Sequence, residues 1–250
     1  MTLSVIIITK NEEQMIRACM ESVSWADEII IVDSGSTDNT VAICKELGAK
    51  VHTMDWPGFG PQKNRALDLA TGDWVLSLDA DEWVSPELRA EIDATIKKPG
   101  LHAAFCMPRL SSYCGRFMRH GGWWPDLVVR LFRRGSACFS EARVHERLEV
   151  EGTIGRLSSH LLHESFRDPA EVLEKVNHYS SEGARMLAER GRRASLGTAI
   201  AHGVWAFIRT YILKRGFLDG REGFVMAVST AEASYYRYLK LMYLTESIDR

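Results

Sequence analysis

Three short apolar runs constrain the fold of this chain more than any other feature. Ser4-Val5-Ile6-Ile7-Ile8-Thr9, Glu28-Ile29-Ile30-Ile31-Val32-Asp33 and Trp74-Val75-Leu76-Ser77-Leu78 are almost continuously aliphatic or aromatic. A half-exposed strand alternates apolar and polar residues. A run that is apolar on both faces fits a parallel strand covered from both sides. Helix-like segments lie between the runs. Residues 12–23 place Met15, Ile16, Cys19 and Val23 on one face. A second helix opens at Asp38-Asn39-Thr40 and is stopped by Gly48. A third, over 61–70, is stopped by Gly72. Residues 51–54 read as a short third strand. Pro86 sits in the first turn of a further helix, where its missing N–H costs little. Such alternation implies an α/β fold with right-handed parallel crossovers.

Beyond Gly100 the pattern changes. Residues 103–110, 127–132 and 157–163 read as strands among glycine- and aromatic-rich loops. From Pro169 onward the chain reads as helical, over 170–189, 196–214 and 223–244. The 250 residues, 46% hydrophobic and 26% charged, suffice for one large domain with an appendage. The expected division is one α/β domain at 1–165, with halves at 1–100 and 101–165, followed by a helical extension at 166–250.

Charge is uneven. Residues 1–100 hold 9 Lys+Arg against 17 Asp+Glu, while residues 101–250 hold 22 against 16. An acidic front half fits metal binding, and a basic back half fits an anionic partner. The acidic half disfavours nucleic acid, and no reading motif organises the basic residues. No stretch reaches the ~18 apolar residues that a spanning helix needs. The opening run at residues 3–8 lacks a basic region before it, so it reads as a strand rather than a leader. Five scattered cysteines, odd in number and without metal-ligand spacing, fit a reduced cytoplasmic protein.

The chemistry gathers at the strand ends. Asp79-Ala80-Asp81-Glu82 follows the Trp74 run. Two carboxylates one residue apart at a strand end form a trap for a hard divalent cation, which takes one or two protein carboxylates plus phosphate oxygens. Asp33 ends the second strand, where its carboxylate can accept from a ribose hydroxyl or a base N–H. Gly35 permits the turn that follows, and Thr37 or Asp38 can cap the next helix. Thr9, Lys10, Asn11, Glu12 and Glu13 follow the first strand and can frame a nucleobase, with Asn11 a candidate helix cap. Lys63, in Gln62-Lys63-Asn64-Arg65, can face a diphosphate.

In this order, Val5-Ile6-Ile7-Ile8-Thr9-Lys10-Asn11-Glu12, then Asp33-Ser34-Gly35-Ser36-Thr37-Asp38, then Asp79-Ala80-Asp81-Glu82, the first hundred residues resemble family 2 glycosyltransferases of the GT-A fold. The resemblance implies a Rossmann-like nucleotide-binding mixed sheet with flanking helices, and an inverting transfer of a sugar from a nucleoside diphosphate with Mg²⁺ or Mn²⁺. By the same resemblance Asp33 holds the nucleotide, Asp79 contacts ribose or sugar, and Asp81 ligates the metal. Inversion needs a base opposite the leaving group to take the acceptor hydroxyl proton. Val144-His145-Glu146 offers Glu146 as that base, with His145 a metal or diphosphate contact. Asp126 is the other candidate. The family more often uses Asp as base, and this chain departs from that pattern at Glu146. Trp123 and Trp124, with Gly121 and Gly122, form a candidate sugar or acceptor loop, and Arg130 is a candidate phosphate contact.

Over its whole length, including Val144-His145-Glu146 and Phe217-Leu218-Asp219-Gly220-Arg221-Glu222-Gly223-Phe224, the chain resembles the small glycosyltransferases of lipopolysaccharide core assembly. Among these it is most similar to β-1,4-glucosyltransferases that act on the inner-core heptose. This implies UDP-glucose as donor and a lipid-linked saccharide as acceptor. Two alternatives stay open: transfer to a polyprenyl phosphate, and a non-catalytic nucleotide-binding role in envelope assembly. The C-terminal helices carry ten Lys+Arg against four Asp+Glu between Arg185 and Lys240, interleaved with aromatics. Such a surface fits peripheral contact with the anionic inner face of the cytoplasmic membrane.

Overall fold

The computed structural model of the chain describes residues 1–140 and 147–246. Strands are β1 (Leu3–Thr9), β2 (Glu28–Asp33), β3 (Lys50–Thr53), β4 (Trp74–Asp79), β5 (Glu82–Val84), β6 (His102–Tyr113), β7 (Arg116–Phe117), β8 (Asp126–Arg133), β9 (Ala137–Phe139), β10 (Leu148–Val150), β11 (Thr153–Arg156) and β12 (Leu161–Phe166). Helices are α1 (Ile16–Ser22), α2 (Thr40–Glu46), α3 (Phe59–Asp68), α4 (Pro86–Lys97), α5 (Pro169–Glu189), α6 (Leu196–Phe207) and α7 (Gly220–Glu246). The main sheet runs β3-β2-β1-β4-β8-β6-β12-β5. β3, β2, β1 and β4 are parallel, while β8 joins β4 and β6 antiparallel, so the sheet is mixed.

The doubly apolar runs have a direct cause. Successive side chains of a strand point to opposite faces. Val5, Ile7, Ile31, Leu76 and Leu78 enter one buried cluster with Ile16, Cys19 and Leu88, whereas Ile6, Ile30, Val32 and Val75 enter a second with Ala66 and Phe132. Both faces of the parallel strands are therefore core.

The chain forms two compact units, Met1–Arg109 with Asp126–His163, and Leu110–Pro125 with Glu164–Arg250. The second is built from α5, α6 and α7. Its small apolar centre gathers Tyr113, Met118, Val172 and Met226, with Trp123 and Phe166 packed against it. Within it, Lys240 Nζ lies 2.8–3.0 Å from the Asn177 carbonyl and side-chain oxygens and the Ser180 and Ser181 hydroxyls, joining α7 to α5. Buried Asp219 accepts from the backbone N–H groups of Arg119 and His120 and pairs with His120 Nδ1 at 2.9 Å. The Phe217–Phe224 motif thus orders a loop of its own unit. Among the described residues no helix is long and apolar enough to cross a membrane.

Several boundaries differ from the sequence expectation. The first helix begins at Ile16, not at residue 12, because Asn11 adopts a left-handed conformation (φ 56°) and residues 13–15 form a turn instead. The expected strand at 157–163 lies later, at Leu161–Phe166, preceded by β11. The helix expected over 196–214 is α-helical only to Phe207 and widens to a π-helical segment at Ile208–Leu213.

Candidate active site

The parallel strands end together. Thr9 of β1 pairs in register with Asp33 of β2, and Ile8 with Asp79 of β4. In open α/β sheets this carboxyl edge is where ligands bind.

Two loops above it are laced into one frame. Asp33 Oδ2 accepts from the N–H groups of Gly35 and Ser36 at 3.0 and 2.9 Å, and its Oδ1 accepts from the Ser36 and Thr9 hydroxyls. Gly35 (φ 82°) allows the chain to wrap back around that carboxylate. Asn11 Oδ1 accepts from the Thr37 N–H at 2.8 Å. Glu13 Oε2 takes the Asn39 N–H and side-chain amide, and Thr40 Oγ1 takes the Glu12 N–H. Asn11 and Glu13 therefore hold loop to loop, and buried Asp33 organises its own turn. Of the residues around these loops, Thr9, Lys10 and Glu12 line the adjoining cavity.

That cavity, about 510 Å³, is walled by Ile8, Thr9, Lys10, Glu12, Trp56, Phe59, Lys63, Asp79, Ala80, Asp81 and His163. Trp56 and Phe59 meet edge to face at 4.8 Å and are both exposed. They supply flat apolar surface for a base or sugar ring. The two carboxylates of Asp79-Ala80-Asp81 have opposite circumstances. Asp79 is clamped by Lys63 Nζ at 2.9 Å and Arg130 Nη2 at 2.5 Å. Burial opposes its ionisation, but Arg130 and then Lys63 outweigh burial and hold the carboxyl well below the usual range. Asp81 is 36% exposed, and His163 Nε2 lies 3.4 Å from its Oδ2. The β5–β12 register sets His163 opposite Glu82, which brings an imidazole to Asp81.

Behind Asp79 lies a buried ion network. Glu82, with no exposed surface, accepts from Arg130 Nη2 at 2.6 Å and Arg109 Nη1 at 3.0 Å, and its Oε2 accepts the Asp79 N–H at 3.1 Å. Arg109 also grips Asp126 through Nε and Nη2 at 2.9 and 2.7 Å. Desolvation of Arg130 works against its charge, yet Asp79 and Glu82 push its pKa upward. Burial, then the charges of Glu82, Asp81 and Asp79, raise the Cys19 thiol well above its ordinary range. A second cavity of about 470 Å³ shares Lys63 and Asp79 with the first, and Arg109, Arg130, Phe139 and Arg147 line it further.

Expected site residues thus separate. Thr9, Lys63, Asp79 and Asp81 meet at the first cavity, and Arg130 meets Lys63 and Asp79 at the second. Arg130 is buried, and its Nη2 pairs with both Glu82 and Asp79. Trp123 packs edge-on to Tyr113 at 5.7 Å and beside Phe166 at 5.9 Å, inside the helical unit. Trp124 lies under the Arg119 guanidinium in the same unit. His145 and Glu146 lie outside the described residues. Sequence reasoning missed His163, Trp56, Phe59 and Arg109. A histidine ending a predicted strand was the one available signal for His163.

The model of the family described as "Glycosyl transferase family 2" matches residues 4–150. The chain belongs to glycosyl transferase family 2. An uncharacterized glycosyltransferase of Rickettsia typhi is 33% identical over 97% of this chain and 87% of its own length. The lipopolysaccharide core biosynthesis glycosyltransferase LpsC of Rhizobium meliloti is 31% identical over 94% of this chain and 93% of its own. The crystal structure of S. aureus TarS 1-349 in complex with UDP shares the fold at 19% identity, with a TM-score of 0.50 over 98% of this chain and 92% of that one. The mixed sheet with flanking helices is accordingly the GT-A fold of this family, with a helical C-terminal segment.

Proposed function

We propose that this transferase is an inverting, divalent-metal-dependent hexosyltransferase that moves glucose from UDP-glucose to an inner-core heptose of lipopolysaccharide. The observation that carries the proposal is the first cavity. It sets an ionised, cation-paired Asp79 and an open Asp81–His163 pair beside two exposed aromatic rings. The similarity to LpsC over nearly the whole chain supports the acceptor class. The transfer machinery is assigned to residues 1–165.

The donor set fits Mg²⁺ or Mn²⁺. Among the described residues no Lys or Arg pairs with the Asp81 carboxylate, His163 Nε2 lies beside it, and a nucleotide diphosphate would complete the oxygen ligands. When bound, such an ion neutralises charge on the diphosphate leaving group. The rest falls to this chain's own residues. Trp56 and Phe59 provide ring faces, Lys10 and Lys63 provide positive charge, and the Asp33 turn frames the nucleoside side. Asp33, Asn11 and Glu13 act here by holding the two loops in position. The second cavity is assigned to the acceptor, since it adjoins the first at Lys63 and Asp79. A base removes the acceptor hydroxyl proton as that oxygen bonds to the anomeric carbon and the bond from that carbon to the diphosphate breaks. Glu146 is the proposed base. It directly precedes Arg147, which lines the second cavity. Asp126, gripped by Arg109, is the rival.

The test is calorimetric binding of UDP-glucose with and without Mn²⁺, together with product formation, in wild type, Asp81→Ala and Glu146→Gln. Metal-dependent binding lost in Asp81→Ala, and transfer lost with binding retained in Glu146→Gln, is expected. Binding of UDP but not UDP-glucose would remove the glucose assignment. No nucleotide binding at all would overturn the proposal. Arg147 at the second cavity also favours one alternative, transfer to a polyprenyl phosphate, an acceptor that is already anionic. In that case Glu146→Gln would retain most activity.

A further inference from the structure

The outward face of α6 is apolar without interruption. On its inner face Ala199 and Gly203 are buried, and a Cβ placed on Gly203 would lie 3.1 Å from that of Tyr235 on α7. At 100° per residue the opposite side carries Ile200, Ala201, Val204, Trp205 and Ile208, continuing to Ile212 in the π-helical segment. Ile200, Val204, Trp205 and Ile212 are each 51–55% exposed, and Phe217 and Leu218 extend the surface at 48–50%. A helix packed on a soluble unit normally turns a polar face outward. A contiguous exposed apolar strip of this size marks an interaction surface.

Charge selects the occupant. From Arg190 to Leu218 there are six Lys+Arg and no Asp or Glu. Arg190, Arg192 and Arg193 precede the helix, while Arg209, Lys214 and Arg215 flank its far end, and all six are exposed. An apolar strip with cations at both ends and aromatic Trp205 and Phe217 between them matches an anionic bilayer surface. Apolar side chains reach the acyl boundary, and the long basic side chains stay at headgroup level.

We propose that the surface spanning residues 190–218 docks this protein onto an anionic lipid bilayer. The inference goes beyond the transfer reaction and stands on the helical unit alone. It places a peripheral contact, with Ile200, Val204, Trp205 and Ile212 buried in the interface.

The test is co-sedimentation of the full chain with vesicles of phosphatidylcholine alone and of phosphatidylcholine with phosphatidylglycerol, across a salt titration. Expected is binding to the phosphatidylglycerol vesicles that weakens with salt, loss of binding in Val204→Glu and Trp205→Glu, and a drop of about fivefold for each neutralised arginine at 192 or 193. Both glutamate variants alter solvent-facing positions. Circular dichroism and UDP binding should match wild type, which separates a lipid defect from misfolding or a failed donor site. Three results would overturn the proposal. One is no sedimentation with phosphatidylglycerol vesicles at low salt. Another is undiminished binding by the glutamate variants. The third is a wild-type dimer that Val204→Glu dissociates without any vesicle binding, which would make the face an interface between copies.

Discussion

Replacing Arg130 by Met tests whether the network under Asp79 is a structural keystone. Arg130 is buried, and its Nη2 serves two carboxylates, Asp79 at 2.5 Å and Glu82 at 2.6 Å. Among the described residues, three carboxylates (Asp79, Glu82, Asp126) face three cations (Lys63, Arg109, Arg130), so their charges balance. Met fills a similar volume but leaves one buried negative charge without compensation. Removing one partner of a buried pair in this way costs about 3–5 kcal/mol. The assay is urea unfolding at neutral pH, read as a lower midpoint at unchanged slope. Acid gives an independent check on the cause. Because the folded Asp79 carboxyl is depressed, its contribution is present above the unfolded pKa, near 4, and is lost as pH falls through the folded value. The variant lacks the main cation behind that depression, so the gap between wild type and variant should shrink on acidification. The double variant Asp79→Asn, Arg130→Met should be less destabilised than the two single losses summed. A neutral-pH loss under about 1 kcal/mol, or a gap that ignores pH, would refute the reasoning.

Two further outcomes are expected. Burial of Glu28 opposes its ionisation, yet hydrogen bonds from Lys50, Ser4 and Thr71 outweigh it and bring its pKa down to about 2. Because Lys50 is exposed to solvent that screens the pair, Glu28→Gln should lose about 1–2 kcal/mol of stability at neutral pH, with the deficit fading as pH drops from the ordinary carboxylate range toward 2, measured by denaturation across pH. Phe59→Ala removes one of the two exposed rings at the first cavity. If that ring stacks on the base, UDP affinity should fall by about 1–3 kcal/mol in calorimetry while the thermal midpoint holds.

The parallel strands and their acidic ends were legible because each obeys a local rule. β1, β2 and β4 feed alternate residues into two cores, so their sequences had to be apolar throughout. The start of α1 was misread because the helical spacing of Met15, Ile16, Cys19 and Val23 says nothing about Glu12 and Glu13. Backbone and side-chain bonds to residues 38–40 hold those two outside the helix. Arg130 and His163 were opaque for a different reason. The ion-pair partners of Arg130 lie 51 and 48 residues away at Asp79 and Glu82, and His163 reaches Asp81 through the antiparallel register of β12 on β5. Pairings set by register leave no trace in local composition. Trp123 shows the converse: adjacent tryptophans among glycines fit a sugar platform or packing equally well, and only the fold reveals that Tyr113 and Phe166 pack against its ring.

The geometry also explains why an acid pair one residue apart is useful at this edge. Asp79 ends β4 and Glu82 begins β5, so the intervening Ala80-Asp81 step is a turn. The strand end fixes Asp79 over the buried network, where Lys63 and Arg130 more than balance its charge. It can hold Lys63 at the cavity wall, but it offers an incoming cation little net attraction. Asp81 lies in the turn, part exposed at the cavity wall, with His163 Nε2 3.4 Å from its Oδ2. On the proposed reading, the pair divides one task between a carboxylate that positions Lys63 and one that would receive the metal ion. For that reason Asp81→Ala belongs in the binding test and Arg130→Met in the stability test. A loss of folding in the first, or a pure binding loss in the second, would mean that this division is drawn the wrong way round.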